Sequence, residues 1–544
     1  MPAPPVLSAI YNSAVRSPSS SDFDFSFSSD SRLPLLNDLK VNRELISTNE
    51  IIFDGFQEQS IELDYILPDY YGDIFKVLKA QVVPRIVSRT VSNDRVIYEM
   101  QAEISIWYFS ENSSEIQTIH QKLSFSKTAE FSCSGENVRV KLVPRLDYVN
   151  CRAVNQRRLD LRGAVSIRIK AFCEQKQEVI CDVFGMGMQR KKQTMTCVSK
   201  RLYAEKQLEI SEEVEMNTAQ PPVKNIIRSD AEVICGEKKV IANKLVSKGD
   251  INFSVLYATE SGNPEITRFS LPYSQIIDMD GINEDFECEI ENSVATLEIT
   301  SNNSGKLRCD VSVNICCTAV RTSMIEIVTD VYSTRYPSSF AVSGIRVDQM
   351  PVKITEQCRV SPNVPYTDGA IECVSDAWAT VSNINCVCDA ESKKVIVSGM
   401  LKCCVVGRNT ENTPILLEKE EAFEHTISVP SITEESVIEP SVSITDCSYT
   451  LSSSDSVSVR AELKISANLF TASVTDAITE ITVDETAKSP ENNDYALKLY
   501  FGRENEDIWE IAKRYGTSVT AIMEENELME DKLTRNGMIL IPMV

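Results

Sequence analysis

The chain of 544 residues contains only two histidines, His120 and His425. A Ser-His-Asp or Cys-His nucleophilic site must use one of them, yet neither lies in a nucleophile motif such as G-x-S-x-G. A three-histidine zinc site is impossible, and the motifs H-E-x-x-H, Walker A and G-x-G-x-x-G are absent. The chain is rich in carboxylates, but nothing singles out a pair for glycoside hydrolysis. We therefore predict a protein that is not an enzyme and that uses no metal or cofactor.

Long apolar runs are also missing. No stretch of about 18 apolar residues is present, which excludes a transmembrane helix. The first residues lack the basic region and apolar core of a secretory signal, so we expect a cytoplasmic protein. The net charge is -24, which disfavours nucleic acid and anionic lipid as partners. The acidity suits protein partners, or it serves solubility alone.

The sequence lacks C-x-x-C although it holds 17 cysteines. Most lie in strand-like runs, and two adjacent pairs occur at Cys316-Cys317 and Cys403-Cys404. Neighbouring residues of a strand point to opposite faces, so neither pair suits a metal site. We expect buried, reduced thiols that act as small hydrophobic residues, as in a reducing cytoplasm.

The first forty residues differ from the rest. Residues 17–31 are serine-rich, acidic and of low complexity, which predicts a disordered tail over residues 1–40. Phe23, Phe25 and Phe27 alternate with polar residues there. They are either a short docking motif or part of a passive tail.

Residues 41–487 show the alternation of β-strands and an internal repeat. One landmark recurs at Trp107–Glu111, Leu256–Glu260 and Val406–Glu411, and its glutamates are 149 and 151 residues apart. This period predicts three tandem β-rich repeats of about 150 residues, over 41–190, 191–342 and 343–487.

Two further landmarks follow the same period. A strand-like segment recurs at Ala164–Lys170, Asp310–Cys316 and Ala461–Ser466. The tripeptides Asp182-Val-Phe and Asp330-Val-Tyr mark the exit from the first two repeats. Three landmarks at one spacing support repetition over chance.

The last segment, residues 488–544, has a different pattern, with a strand, two short helices and a second strand. Asn505 is a good N-cap, and Glu506 and Asp507 add negative charge to the first turn. Gly516 suits a left-handed helix end, and Thr517 or Ser518 can cap the second helix. We expect a small α+β module of βααβ order.

The string Ile508–Ser518, read IWEIAKRYGTS, resembles the LysM family, whose members often bind N-acetylglucosamine polymers and sometimes bind proteins. Sugar-binding members generally carry G-D-T-L where this chain has Asn505–Ile508. This departure favours a protein ligand over a glycan. Trp509 is either a partly exposed anchor or packed against helix two or a neighbouring domain. The resemblance implies these partner- or glycan-binding candidates: Asn505, Glu506, Asp507, Trp509, Lys513, Asn526, Leu528 and Asn536.

The run Ile66–Lys79, read ILPDYYGDIFKVLK, leads into the first repeat. Together with the repeats and the LysM-like end, it resembles the SPOCS-domain proteins of spore-forming clostridia and their relatives. The resemblance implies a non-catalytic morphogenetic scaffold in the mother cell, at the forespore surface. It implies docking through the LysM module onto a coat-basement ATPase, a SpoIVA-like protein. The alternative is a peptidoglycan-binding protein of the wall or cortex.

Overall fold

The computed structural model describes residues 39–110, 113–217, 220–302, 306–434, 436–484, 486 and 496–542. Antiparallel β-sheet makes up most of this part of the chain, and two short helices lie near its C-terminal end. The predicted fold class, three β-rich repeats followed by a small α+β module, is confirmed. The tail with Phe23, Phe25 and Phe27 lies outside the described residues. Within the described ranges, no helix has the length and apolarity needed to cross a bilayer.

The first repeat is built from six strands in two sheets. These strands are β1 (Lys40–Ile66), β2 (Lys76–Val91), β3 (Arg95–Ser110), β4 (Ser113–Glu130), β5 (Glu136–Asn155) and β6 (Arg158–Phe184). One sheet has the order β1-β6-β5 and the other the order β2-β3-β4, with antiparallel pairing throughout.

The core of this repeat lies between its two sheets. In β3 the alternating residues Val96, Tyr98 and Met100 are buried, while the residues between them are exposed. They pack with Leu161 and Ile167 of β6 in one cluster. Alternation of two residues puts one face of each strand into this core, as the sequence pattern requires.

The second repeat has the same topology. Its strands are β7 (Met188–Glu215), β8 (Val223–Ile241), β9 (Lys244–Thr259), β10 (Pro264–Asp278), β11 (Glu287–Ser301) and β12 (Lys306–Ser333). The sheets have the orders β7-β12-β11 and β8-β9-β10. Its core again lies between the two sheets.

The third repeat keeps this plan with broken outer strands. Its strands are β13 (Ser338–Asp348), β14 (Val352–Val360), β15 (Asn363–Pro365), β16 (Ile371–Asp389), β17 (Lys394–Asn409), β18 (Pro414–Ser428), β19 (Val437–Ser453), β20 (Ser456–Phe470) and β21 (Ala472–Val483). The first strand is interrupted at Pro351 and Pro362, which have no backbone N–H for a ladder. β13 pairs with β21. β20 pairs with β14, β15 and β19, and the other sheet has the order β16-β17-β18.

The three repeats lie side by side around a shared centre. β4 contacts β8, β10 contacts β16, and β18 contacts β2 and β4. The apolar group at this centre, named here the tryptophan cluster, comprises Leu78, Trp107, Ile116, Ile227, Leu256, Ala258, Ile266, Trp378, Cys404, Val406 and Leu416. Trp107, Leu256 and Val406 open the first landmark of their repeats. Equivalent positions therefore converge at one centre, and the repeats do not follow one another end to end.

The long outer strands form a second shared cluster. Ile46, Cys197 and Ile345 come from the first strands of the three repeats, and Val179, Ile327 and Ala477 come from their last strands. These residues recur at nearly the repeat period. The predicted limits at 190/191 and 342/343 fall within β7 and β13. The domain limits themselves remain a proposal.

The cysteines differ in one respect from the expectation of reduced thiols. Cys133, which follows β4, and Cys173 of β6 form a disulfide, so that expectation is wrong for this pair. The other 15 cysteines are free. Cys403 lies in the core of the third repeat, whereas Cys404 lies in the tryptophan cluster. Their opposite directions agree with the pleat of β17.

Candidate functional site

The C-terminal module consists of β22 (Leu497–Gly502), α1 (Ile508–Tyr515), α2 (Val519–Glu525) and β23 (Gly537–Pro542). β22 and β23 pair in an antiparallel ribbon. The N-cap of α1 is Asp507, whose side chain accepts a hydrogen bond from the Trp509 amide at 2.9 Å. The prediction of Asn505 as N-cap is wrong. Asn505 instead has φ 66°, two residues before the cap.

The other helix ends follow the sequence expectation. Gly516 ends α1 with φ 65°, a left-handed conformation that glycine adopts without a Cβ penalty. Ser518 caps α2 by accepting the amide hydrogen of Ala521 at 3.0 Å. The two helices bury Ile508, Ile511 and Ile522 against the ribbon.

Trp509 and Lys513 lie one helical turn apart on α1, and both contact β12 of the second repeat. The Trp509 indole Nε1 donates to Asp330 Oδ2 at 2.7 Å. Lys513 Nζ donates to Asp330 Oδ1 at 2.7 Å and to Oδ2 at 2.8 Å. Trp509 retains only 7% exposure. Of the two alternatives for Trp509, the structure therefore places it against a neighbouring domain.

Tyr332 extends the core of the module into β12. Its ring centre lies 5.0 Å from that of Trp509 at an angle of 65°, and its hydroxyl donates to the Thr517 carbonyl at 2.7 Å. Lys191 Nζ of β7 forms an ion pair with Asp507 at 2.7 Å. Tyr332 is buried with the residues of the module. The second repeat thus fixes the orientation of α1.

The attachment uses the exit landmark of the second repeat. In the first repeat the equivalent Asp182 pairs with Arg190 and Lys192 of β7. In the second repeat Asp330 binds α1 instead. Sequence reasoning identified this tripeptide only as a period marker, because the function of its carboxylate depends on which chain segment lies opposite.

Most of the remaining predicted site residues have structural partners within the module. Glu506 accepts from the Tyr500 hydroxyl at 2.6 Å and from the Arg503 amide at 3.0 Å. The Asn526 amide bridges the backbone N–H and C=O of Leu540, both at 2.6 Å. Asn536 accepts from the Glu504 amide at 2.7 Å. Leu528 packs against the module's core.

The ribbon has an apolar outer face that sequence reasoning did not identify. Leu497, Leu499 and Phe501 alternate along β22 and are 46%, 68% and 61% exposed. Met538, opposite Phe501 in β23, is 58% exposed. The signal was present as strict alternation of large apolar residues, but the sequence did not tell which face is covered. We name these four residues the ribbon face.

The two histidines lie in different repeats, in β4 and β18, and have different neighbours. His120 lies between Ser105 Oγ at 3.4 Å and the Ile226 carbonyl at 3.2 Å. His425 Nε2 lies 2.7 Å from Glu356. Among the described residues, no group of three or more His, Cys, Asp or Glu side chains is placed to hold a metal ion.

Comparison with known families gives two matches. The family described as SipL, SPOCS domain matches residues 73–154 and 222–302, which run from β2 into β5 and from β8 into β11. The LysM domain family matches residues 503–542. No curated protein and no solved structure matches the chain significantly. The chain therefore combines SPOCS-domain segments in its first two repeats with a C-terminal LysM domain.

Proposed function

We propose that this protein is a non-catalytic scaffold of spore-coat assembly, in the mother-cell cytoplasm at the forespore surface. Its LysM domain docks onto an assembly protein of the coat basement, a SpoIVA-like ATPase. The combination of SPOCS and LysM domains supports a sporulation-related, non-enzymatic protein. We propose the identity of the docking partner from the family resemblance.

The observation that carries the proposal is the division of the LysM surface into two sides. The α1 side is covered by Asp330 and Tyr332 of β12. No described residue covers the ribbon face, which presents four large apolar side chains in register. Contiguous exposed apolar patches mark interaction sites more often than scattered ones. We therefore assign docking to the ribbon face and expect a protein with an apolar patch as its occupant.

The attachment to β12 gives the docking domain a defined orientation. The second repeat holds α1 through the Asp330 carboxylate, the Tyr332 ring and the Lys191 ammonium group. A docking face held in a fixed orientation loses less conformational freedom on binding than a tethered one. A LysM domain held in a fixed orientation by the second repeat would therefore bind its partner more tightly without any additional contact to that partner.

A truncated chain ending at Pro490 tests the proposal in sporulating cells. A fluorescent fusion of the truncated chain should lose its localisation to the forespore surface, while the full chain keeps it. Co-purification of the coat-basement ATPase should be lost in parallel. Unchanged localisation of the truncated chain would sink the docking proposal.

A double variant, Leu499→Glu with Phe501→Glu, tests the assigned face. Both residues point to solvent, so the domain should fold while the apolar patch becomes charged. Co-purification of the ATPase should fall at least tenfold. Met529→Glu is the matched control, because Met529 is 93% exposed on the same domain but lies outside the ribbon. An equal loss in both variants would contradict assignment to the ribbon face.

The LysM match favours a second candidate, binding of peptidoglycan. This function predicts that purified peptidoglycan pulls down the full chain. Since Trp509 is buried, the LysM domain would contact a glycan through the loops that hold Asn505, Leu528 and Asn536. Loss of pull-down in Asn505→Gly, which keeps the left-handed backbone of this exposed position, with retention in the ribbon-face variant, would support this candidate over docking to a protein.

A further inference from the structure

A cavity of about 930 Å³ is lined by strands from all three repeats. The first repeat contributes residues of β5, the second residues of β11 and β12, and the third residues of β19 and β20. Pockets that bind small organic molecules have volumes of roughly 300 to 1,000 Å³. Exposed side chains, including Lys238 and Lys353, belong to the lining, so the cavity communicates with solvent.

The repeats have diverged in charge at equivalent cavity positions. In the backbone register of β5 and β6, Lys141 lies opposite Lys170. In the corresponding strands of the other two repeats, Glu289 lies opposite Thr318, and Glu439 lies opposite Asn468. One position is thus lysine in the first repeat and glutamate in the other two. The first repeat has accumulated positive charge where the others have not.

The lining contains seven basic and six acidic residues, in a chain whose net charge is -24. Five basic residues have a carboxylate partner: Arg89 with Glu205, Lys141 with Glu291 and Glu439, Arg201 and Arg346 with Asp348, and Lys353 with Glu289. Lys238 donates to the Cys288 carbonyl. Among the described residues, Arg139 has no carboxylate partner.

The hydrogen-bond partners of Arg139 are neutral. Its guanidinium donates to Thr318 Oγ1 and to Asn49 Oδ1, both at 3.3 Å. The aromatic rings of Phe172 and Tyr203 flank it, with their centres 5.4 and 5.8 Å from Cζ. Burial and the neighbouring Arg201 lower the pKa of Arg139, and they outweigh the attraction of Glu439 and Glu291, neither of which forms an ion pair with it. A partly buried guanidinium that has no carboxylate within ion-pair distance is stabilised when an anion binds to it.

The rest of the lining supplies an apolar surface beside this cation. Ile51, Val143, Ile290, Val437 and Phe470 are among the lining residues. A guanidinium fork binds carboxylate and phosphate oxygens in a bidentate manner, and its faces stack on aromatic rings. An apolar body on the same molecule would fill the remaining volume.

We propose that this cavity binds a small organic anion, with one carboxylate or phosphate on Arg139 and an apolar body against the surrounding side chains. The ligand joins all three repeats, because each repeat contributes part of the wall. Binding here is independent of docking through the LysM domain. Failure of one proposal leaves the other in place.

Titration calorimetry of the full chain with four probes tests this site. The probes are octyl phosphate, octanoate, 1-octanol and inorganic phosphate. At least one octyl anion should bind with one-to-one stoichiometry, at least tenfold more tightly than 1-octanol and than inorganic phosphate. The relative affinity of octyl phosphate and octanoate tells which head group the site prefers. No binding of either octyl anion overturns the proposal.

The variant Arg139→Gln should weaken binding of the octyl anions at least tenfold. Arg145→Gln is the matched control, since Arg145 is an exposed residue of the same strand and pairs with Asp147. Unchanged affinity in Arg139→Gln, or an equal loss in both variants, contradicts the assignment. If Arg139→Gln does not fold, the wild-type comparison decides, and a preference below tenfold for the anion over 1-octanol overturns the proposal.

Discussion

Two regions of this molecule are each built around tryptophan, and they differ in what the tryptophan contacts. In the tryptophan cluster, Trp107 and Trp378 lie with their ring centres 5.8 Å apart, and Trp107 is fully buried. At the LysM attachment, Trp509 packs on one tyrosine and donates to the carboxylate of Asp330. The first region is mainly apolar and receives side chains from all three repeats, and the cations of Arg228 and Lys79 lie on the Trp378 ring at its edge. The second depends on a few directional contacts, mainly with the second repeat, and Lys513 also lies 5.3 Å from the ring centre of Phe340 in the third repeat.

This difference separates what holds the repeats together from what holds the LysM domain. Apolar burial scales with area and has no directional requirement, so equivalent positions in three repeats can share one cluster. A carboxylate that accepts hydrogen bonds from an indole and an ammonium group stabilises the attachment only when donors and acceptor are correctly placed. We therefore expect the three repeats to unfold together and the LysM attachment to be broken by a single substitution.

The largest effect is expected from Trp107→Ala. Removing a fully buried tryptophan should lower the free energy of unfolding by about 3–5 kcal/mol, because the cavity cannot close around its neighbours from three repeats. Denaturant unfolding followed by circular dichroism measures this change. Phe470→Ala, a partly exposed aromatic residue outside the cluster, is the control and should cost far less. A loss below 1 kcal/mol in Trp107→Ala would contradict a shared core.

A smaller effect is expected from Glu439→Gln, which tests polar coupling between repeats. Glu439 of the third repeat pairs with Lys170 at 2.8 Å and Lys141 at 3.3 Å, both in the first repeat. Loss of these charge-assisted bonds should lower the free energy of unfolding by about 2–3 kcal/mol at pH 7. Glu462→Gln, in an exposed ion pair with Arg359, is the control and should have little effect.

The same variant has a predicted pH dependence. Burial by itself would raise the pKa of Glu439, but Lys141 and Lys170 outweigh it and hold this pKa below its usual 4.5. Stabilisation from this group is therefore present above about pH 4.5 and is lost as the pH falls through the folded-state pKa. The stability difference between wild type and Glu439→Gln should narrow on acidification. A constant difference between pH 7 and pH 3 would contradict the pairing.

Next in size is Asp330→Asn, which acts on the LysM attachment. The amide cannot accept from both Trp509 and Lys513 with the strength of a carboxylate, so about 1.5–3 kcal/mol of attachment should be lost. Hydrogen exchange of α1 measures the change, while the unfolding of the repeats should stay the same. Asp182→Asn, at the equivalent position, is the control because the ion pairs of Asp182 are with Arg190 and Lys192 of β7 and not with α1. Equal protection of α1 in wild type and Asp330→Asn would refute the assigned role.

The smallest effect is expected from Asp507→Asn. Asparagine keeps the N-cap hydrogen bond to the Trp509 amide, so only the ion pair with Lys191 and the helix-dipole interaction are weakened. The free energy of unfolding of the LysM domain should fall by about 0.5 kcal/mol. Asp507→Ala removes the cap as well and should cost about 1 kcal/mol more. Thermal unfolding of the two variants measures the difference in their stabilities. Equal losses of stability would show that the ion pair with Lys191 contributes more than the N-cap hydrogen bond.

Local patterns were sufficient for the elements of the fold. Alternation predicted the strands, a spacing near 150 residues predicted the repeats, and Gly516 and Ser518 predicted helix ends that the structure contains. These features depend on residues close in sequence, where side-chain direction and backbone preference act directly. The cap of α1 was misassigned by two residues, because Asn505 and Asp507 are both good cap residues and only the hydrogen bond distinguishes them.

The sequence by itself determined that this protein is a set of β-rich repeats followed by a βααβ domain, because strand alternation and helix caps are local. Only the tertiary structure decided that Trp509 is covered and that the ribbon face is exposed in the part of the chain that the structure describes. Trp509 and Asp330 are 179 residues apart, and their contact depends on how the repeats bring β12 against α1. The same holds for the Cys133–Cys173 disulfide and for the neutral hydrogen-bond partners of Arg139. Packing between segments far apart in sequence decides which polar groups come into contact, and local sequence patterns do not predict these contacts.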